Sequence, residues 1–167
     1  MSRYRLDVPA ERGCVLNGVL FRNDDVKADT VMIAITGIHG NFYSNPFYFN
    51  IGDTLNADGI DFIYAQTNDA FNRIETFNVK TGKPEIIGSF NERFSYVDED
   101  IDAYLDFAQN EGYANVILAG HSLGANKVIY YLSRHHDTKL IFIDGTGHTY
   151  QRKEQETADR ILEFLKG

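Results

Sequence analysis

An α/β fold, with a mostly parallel central sheet and helices on both faces, is predicted by three features of this 167-residue sequence. Residues 30–35 form a continuous apolar run, as expected of a strand covered on both sides, and the largely apolar segments 60–65 and 115–119 read as further buried strands. Segments of helical period alternate with them. A serine framed by glycines, Gly120-His121-Ser122-Leu123-Gly124, stands between the third run and the helix that follows it.

Taken in order, residues 4–8 and 14–21 read as two strands separated by Glu11-Arg12-Gly13, a hairpin-like opening. Residues 30–35 form a central parallel strand, followed by a loop over 36–45. Ser44 or Asn45 can cap the next helix, Pro46 suits its first turn, Phe47, Ile51 and Leu55 share one face, and Asp58-Gly59 stops it. After the strand at 60–65, residues 66–90 show no clear period and contain Gly82, Pro84 and Gly88, which reads as a functional loop or lid.

Across 91–111, Phe94, Val97, Ile101, Tyr104, Phe107 and Ala108 make one apolar stripe that Gly112 ends. Asp98, Glu99, Asp100, Asp102 and Asp106 fill most of the remainder. No EF-hand spacing accompanies them, so they read as a solvated face rather than a metal site. Residues 115–119 form a strand, 123–133 a helix with Val128, Ile129 and Leu132 inward, 139–143 a further strand and 151–166 the last helix.

An apolar content of 43% over this length suffices for one core, and no repeat or linker divides the chain, so residues 1–167 read as a single domain. The net charge is −8 and the 16 basic residues are scattered, which argues against nucleic acid and anionic membrane as partners. One cysteine, Cys14, excludes an intrachain disulfide; with no histidine or basic cluster beside it, it reads as a small hydrophobe. The opening residues lack a signal peptide's apolar stretch and no run reaches membrane-spanning length, so a cytoplasmic location is expected.

The chemistry concentrates at Ser122. A G-x-S-x-G turn between a buried strand and an amphipathic helix strains the serine backbone, lifts its hydroxyl above the sheet and lets strand and helix approach through the glycines. The helix N-terminus offers the Leu123 N–H to a developing oxyanion. The loop Thr36-Gly37-Ile38-His39-Gly40-Asn41 offers a second donor, assigned to the Ile38 N–H. The segment 120–127 contains a lysine but lacks the G-x-x-x-x-G-K-[ST] spacing of a phosphate loop.

A serine hydroxyl needs a base, and His148 in Asp144-Gly145-Thr146-Gly147-His148 is the leading candidate, because its glycines allow a loop that folds back over the sheet. His135 and His136 lie at the far end of the helix that begins at Ser122 and read as surface residues. His121 should point to the opposite side of the turn. His39 lies near the oxyanion loop, either to contact substrate or to pack, and Phe42 and Tyr43 would shape the pocket with it.

With these residues placed, the chain resembles the bacterial α/β-hydrolase family of esterases and lipase-like enzymes, in particular the DUF1749-related branch. The resemblance rests on Gly37 to Phe47 (GIHGNFYSNPF), the helix around Phe94 to Phe107, Gly120 to Tyr131 (GHSLGANKVIYY) and the closing Gly145 to Leu165. It implies a triad in the chain order serine, acid, histidine, an acyl-enzyme intermediate, ester or related acyl substrates, and no cofactor. Relatives usually begin the oxyanion loop with His-Gly, whereas this chain has Thr36-Gly37.

The stretch from Ser122 to His148 has room for only one helix and one strand, so the resemblance implies a sheet reduced in strand number. The turn that normally bears the triad acid has no clean match. Asp144, at the end of the predicted strand and four residues before His148, is the provisional acid; a Ser-His dyad or an acid from elsewhere are the alternatives, Asp137 lies at the wrong edge and Asp69 ranks third. A shortened sheet would leave an edge for a homodimer to cover. The expected function is that of a carboxylesterase, and its rival is a catalytically silent relative that kept the serine turn as a binding or structural module.

Overall fold

The computed structural model describes residues 1–40, 45–135 and 153–166. Its main sheet has five strands among the described residues, β1 (Ser2–Pro9), β2 (Val15–Arg22), β3 (Thr30–Ile35), β4 (Asp61–Ala65) and β7 (Asn115–Gly120), in the order β1-β2-β4-β3-β7. The pairings of β1 with β2 and β2 with β4 are antiparallel, and those of β3 with β4 and with β7 are parallel. The parallel half carries the candidate site. The predicted strand at 139–143 lies outside the described residues.

Strand alternation sorts two cores. Val31, Ile33 and Ile35 of β3 and Ile63 and Ala65 of β4 face one side, where α2 (Val97–Glu111) contributes Ile101 and Tyr104 and α3 (Leu123–Arg134) contributes Val128 and Tyr131. Met32, Ala34, Phe62 and Tyr64 face the other, against Phe47, Tyr48, Ile51 and Leu55 of α1 (Phe47–Ala57) and Ala158 of α4 (Glu154–Lys166). The expected face of α1 is therefore the buried one. Its N-cap is Pro46, and the Asn45 carbonyl accepts the Tyr48 N–H at 3.1 Å; Ser44, the other expected cap, lies outside the described residues.

Three expectations are corrected. Residues 66–90 are not irregular throughout, because β5 (Ile74–Asn78) and β6 (Lys83–Ile87) pair as an antiparallel hairpin. Neither strand presents a fully buried face, so the two-residue alternation that marks half-buried strands was too weak to read, and Pro84 sits in an outer ladder opposite Phe77. Second, Ile129 is 44% exposed; the inward face of α3 is Gly124, Lys127, Val128 and Tyr131. Third, the acidic face of α2 is not wholly solvated. Asp100 is 1% exposed and pairs with Arg12 at 2.8 Å, while Glu99 accepts from the Arg12 backbone and guanidinium at 3.1 and 3.2 Å.

Cys14 is fully buried beside these groups, and burial pushes its thiol up to about 11 despite the opposing Arg12 charge. A thiol so held is almost entirely protonated at pH 8. Iodoacetamide at that pH is expected to leave the native protein unmodified by intact mass and to add one group after denaturation in urea.

Candidate active site

The serine turn is built by close approach of backbone to backbone. β7 ends at Gly120, His121 donates its N–H to the Ile35 carbonyl at 3.2 Å, and α3 begins at Leu123. A Cβ on Gly124 would overlap the Ile35 carbonyl, and one on Gly120 would overlap the Gly124 carbonyl. Only glycine lets α3 start this close to β3 and β7. Between them Ser122 adopts φ 58°, ψ −128°, a conformation that L-residues rarely hold and that costs about 1–3 kcal/mol.

Opposite the serine runs residues 36–40. A Cβ added to Gly37 would stand 2.6 Å from the Ser122 Cβ and 3.0 Å from its Oγ, so this backbone lies directly against the hydroxyl. The loop is tied at each step. Thr36 is buried, donates its N–H to Ala65 at 3.3 Å and accepts from the Tyr64 hydroxyl at 3.2 Å. Gly40 donates to Gly37 at 2.9 Å and its carbonyl accepts the Phe71 N–H at 3.1 Å. His39 and Phe71 both hold left-handed backbone, at φ 56° and 60°.

The sequence-assigned residues separate into two groups. Ser122, Leu123 and Ile38 share this junction: Leu123 opens the helix after the serine, and Ile38, 41% exposed, follows the glycine that touches it. His148, Asp144, Phe42 and Tyr43 lie outside the described residues, as do His136 and Asp137. His39 is exposed, with Nδ1 2.6 Å from the Ser89 Oγ. His121 packs edge-on against Phe47 and Tyr48, with ring centroids 4.9 and 6.3 Å apart. His135 is exposed and stacks on Tyr131 at the far end of α3.

Asp69, third among the candidate acids, is 1% exposed and ion-paired to the buried Lys127. Neither this pair nor Ser89 was singled out from sequence. For Lys127 a signal existed, since positions 124, 127, 128 and 131 follow the three- and four-residue spacing of one helix face. For Ser89 none did, because its bond to His39 spans fifty residues of chain.

A cavity of about 260 Å³ lined by Arg22, Lys27, Asp61, Glu111 and Tyr113 opens at the other end of the parallel strands. Its arginine is already matched, to Asp61 at 3.3 Å, Glu111 at 2.7 Å and the Tyr113 hydroxyl at 2.8 Å. Among the described residues, no three His, Cys, Asp or Glu side chains converge as metal ligands, and no helix is long and apolar enough to cross a membrane.

A strained serine between a parallel strand and a helix, in a sheet of this order, defines the α/β-hydrolase fold, and solved structures agree. The chain matches Est1E from Butyrivibrio proteoclasticus at a TM-score of 0.57 and 19% identity, over 78% of this chain and 45% of that one. It matches the Pyrococcus furiosus esterase Pf2001 at 0.60 and 16%, over 80% and 45%. An α/β hydrolase fold protein of unknown function matches at 0.55 and 18%, over 79% and 39%. Est1E is also known with ferulic acid bound. The chain thus spans less than half the length of these three structures. No family model and no curated protein sequence matches it.

Proposed function

We propose that this chain is a serine hydrolase that cleaves carboxylic esters, or related acyl substrates, through an acyl-enzyme intermediate. The observation that carries the reading is the Ser122 backbone, held at φ 58°, ψ −128° with Gly37 against its hydroxyl. Strain of this kind persists only where the surroundings enforce it, and it gathers at functional sites. The esterases among the solved structures of this fold support the same class of activity.

In the proposed reaction the Ser122 Oγ attacks the ester carbonyl as His148 takes its proton, and the carbonyl π electrons move onto oxygen. The Leu123 and Ile38 amides receive that oxyanion, the first aided by the α3 dipole. Collapse expels the alcohol, which takes the proton from His148, and water then releases the acid by the same steps in reverse order. Asp144 would orient His148, while His39, Phe42 and Tyr43 line the substrate's approach. The test is turnover of short-chain aryl esters by the native protein. Release above the buffer rate, lost in Ser122→Ala, is the expected result; equal release from both proteins would refute the reading.

A further inference from the structure

We propose that the buried Lys127–Asp69 pair is a positioning device that sets the gap between the serine turn and the loop facing it, an inference that rests on the hydrolase reading. Lys127 lies on the inner face of α3, five residues after Ser122, and is 3% exposed; Asp69 is 1% exposed. The lysine Nζ donates to Asp69 Oδ1, and to Thr67 Oγ1 at 3.0 Å, while the threonine hydroxyl donates to the same Asp69 oxygen at 2.5 Å. The intervening Asn68 N–H donates to Asp100 Oδ2 at 2.7 Å, and Asp100 is held by Arg12. Residues 67–69 are therefore gripped by charge from α3 on one side and from α2 on the other.

The grip is passed on. Two residues after Asp69, the Phe71 N–H holds the Gly40 carbonyl; Gly40 in turn holds Gly37, and Gly37 lies against Ser122. The contacts close a ring that runs from Ser122 along α3 to Lys127, across to Asp69, through Phe71 to the 37–40 loop and back to Ser122. Both proposed oxyanion donors are members of it. An apolar pair of similar volume would fill the same space without loss of stability, since burying two charges roughly offsets their attraction. What the ions add is direction: among the described residues Asp69 Oδ2 has no hydrogen-bond partner, and the side-chain bonds that fix the carboxylate come from Lys127 and Thr67. Small errors in such a gap cost rate, because donors must meet the oxyanion at hydrogen-bond distance.

The experiment compares the native protein with Lys127→Met, the apolar pair Lys127→Met/Asp69→Leu, and the milder Thr67→Val. Two readouts are taken, native-state amide exchange and aryl-ester kinetics. In Lys127→Met, exchange at Phe71 and Gly40 is expected to accelerate by about tenfold or more relative to Ile33 and Ile63. The ester kcat should fall about tenfold with KM little changed. In the double variant the unfolding midpoint should return while kcat stays low. Uniform acceleration of loop and sheet amides, or a kcat that recovers with the midpoint, would overturn the inference. Should Lys127→Met fail to fold, Thr67→Val decides by the same local exchange pattern. A native protein without ester turnover would defeat the hydrolase reading alone, because the exchange pattern does not depend on activity.

Discussion

Ser122→Gly is expected to raise the thermal midpoint while eliminating ester turnover. The native serine sits at φ 58°, ψ −128°, which glycine adopts freely. Relief of about 1–3 kcal/mol of strain outweighs the roughly 0.4–1 kcal/mol that glycine's freedom in the unfolded chain costs. A net gain of about 1 kcal/mol corresponds to roughly 2–4 °C in a chain of this size. Turnover should fall by about 10⁴-fold or more, to the level that binding and the oxyanion donors support without a nucleophile. Ser122→Ala loses the same activity but gains no stability, because alanine retains the Cβ. Calorimetry of the three proteins checks the first half and ester release the second. A Ser122→Gly protein that melts below the native one would mean that the turn is not strained.

Gly37→Ala is expected to cost about 10²-fold in kcat while the protein still folds. The new methyl would lie 2.6 Å from the Ser122 Cβ and 3.0 Å from its Oγ, closer than carbon atoms tolerate, so the loop and the serine must part. Gly37 has negative φ, so the substitution acts through that contact and not through backbone strain. Urea unfolding should show a loss of no more than about 1–3 kcal/mol, the usual range for an overpacked position. Unchanged kcat would place the oxyanion elsewhere.

The sheet and the serine turn were legible because their causes are local. Thr30–Ile35 was bounded to the residue by its unbroken apolar run, and the G-x-S-x-G turn by two glycines that the backbone contacts require. The α1 face declared itself through Phe47, Ile51 and Leu55, all buried. What could not be read depends on partners far apart in the chain. Asp100 looked like one more surface carboxylate until Arg12, 88 positions earlier, closed on it. Lys127 was weighed only as the lysine of a phosphate loop, which its spacing excluded, and its pairing with Asp69 is what accounts for a lysine on an inward face. The hairpin at Ile74–Asn78 and Lys83–Ile87 escaped because half-exposed strands carry little periodic signal.

The central claim, that Ser122 is an activated nucleophile, is tested most directly by a fluorophosphonate probe, which forms a stable phosphonyl ester only with a serine hydroxyl that its surroundings activate. Incubating the native protein with the probe and mapping the adduct by peptide mass spectrometry should place one modification on Ser122, with none on Ser122→Ala and none after denaturation. Equal modification of native and Ser122→Ala proteins, or no modification of the native protein, would contradict the account.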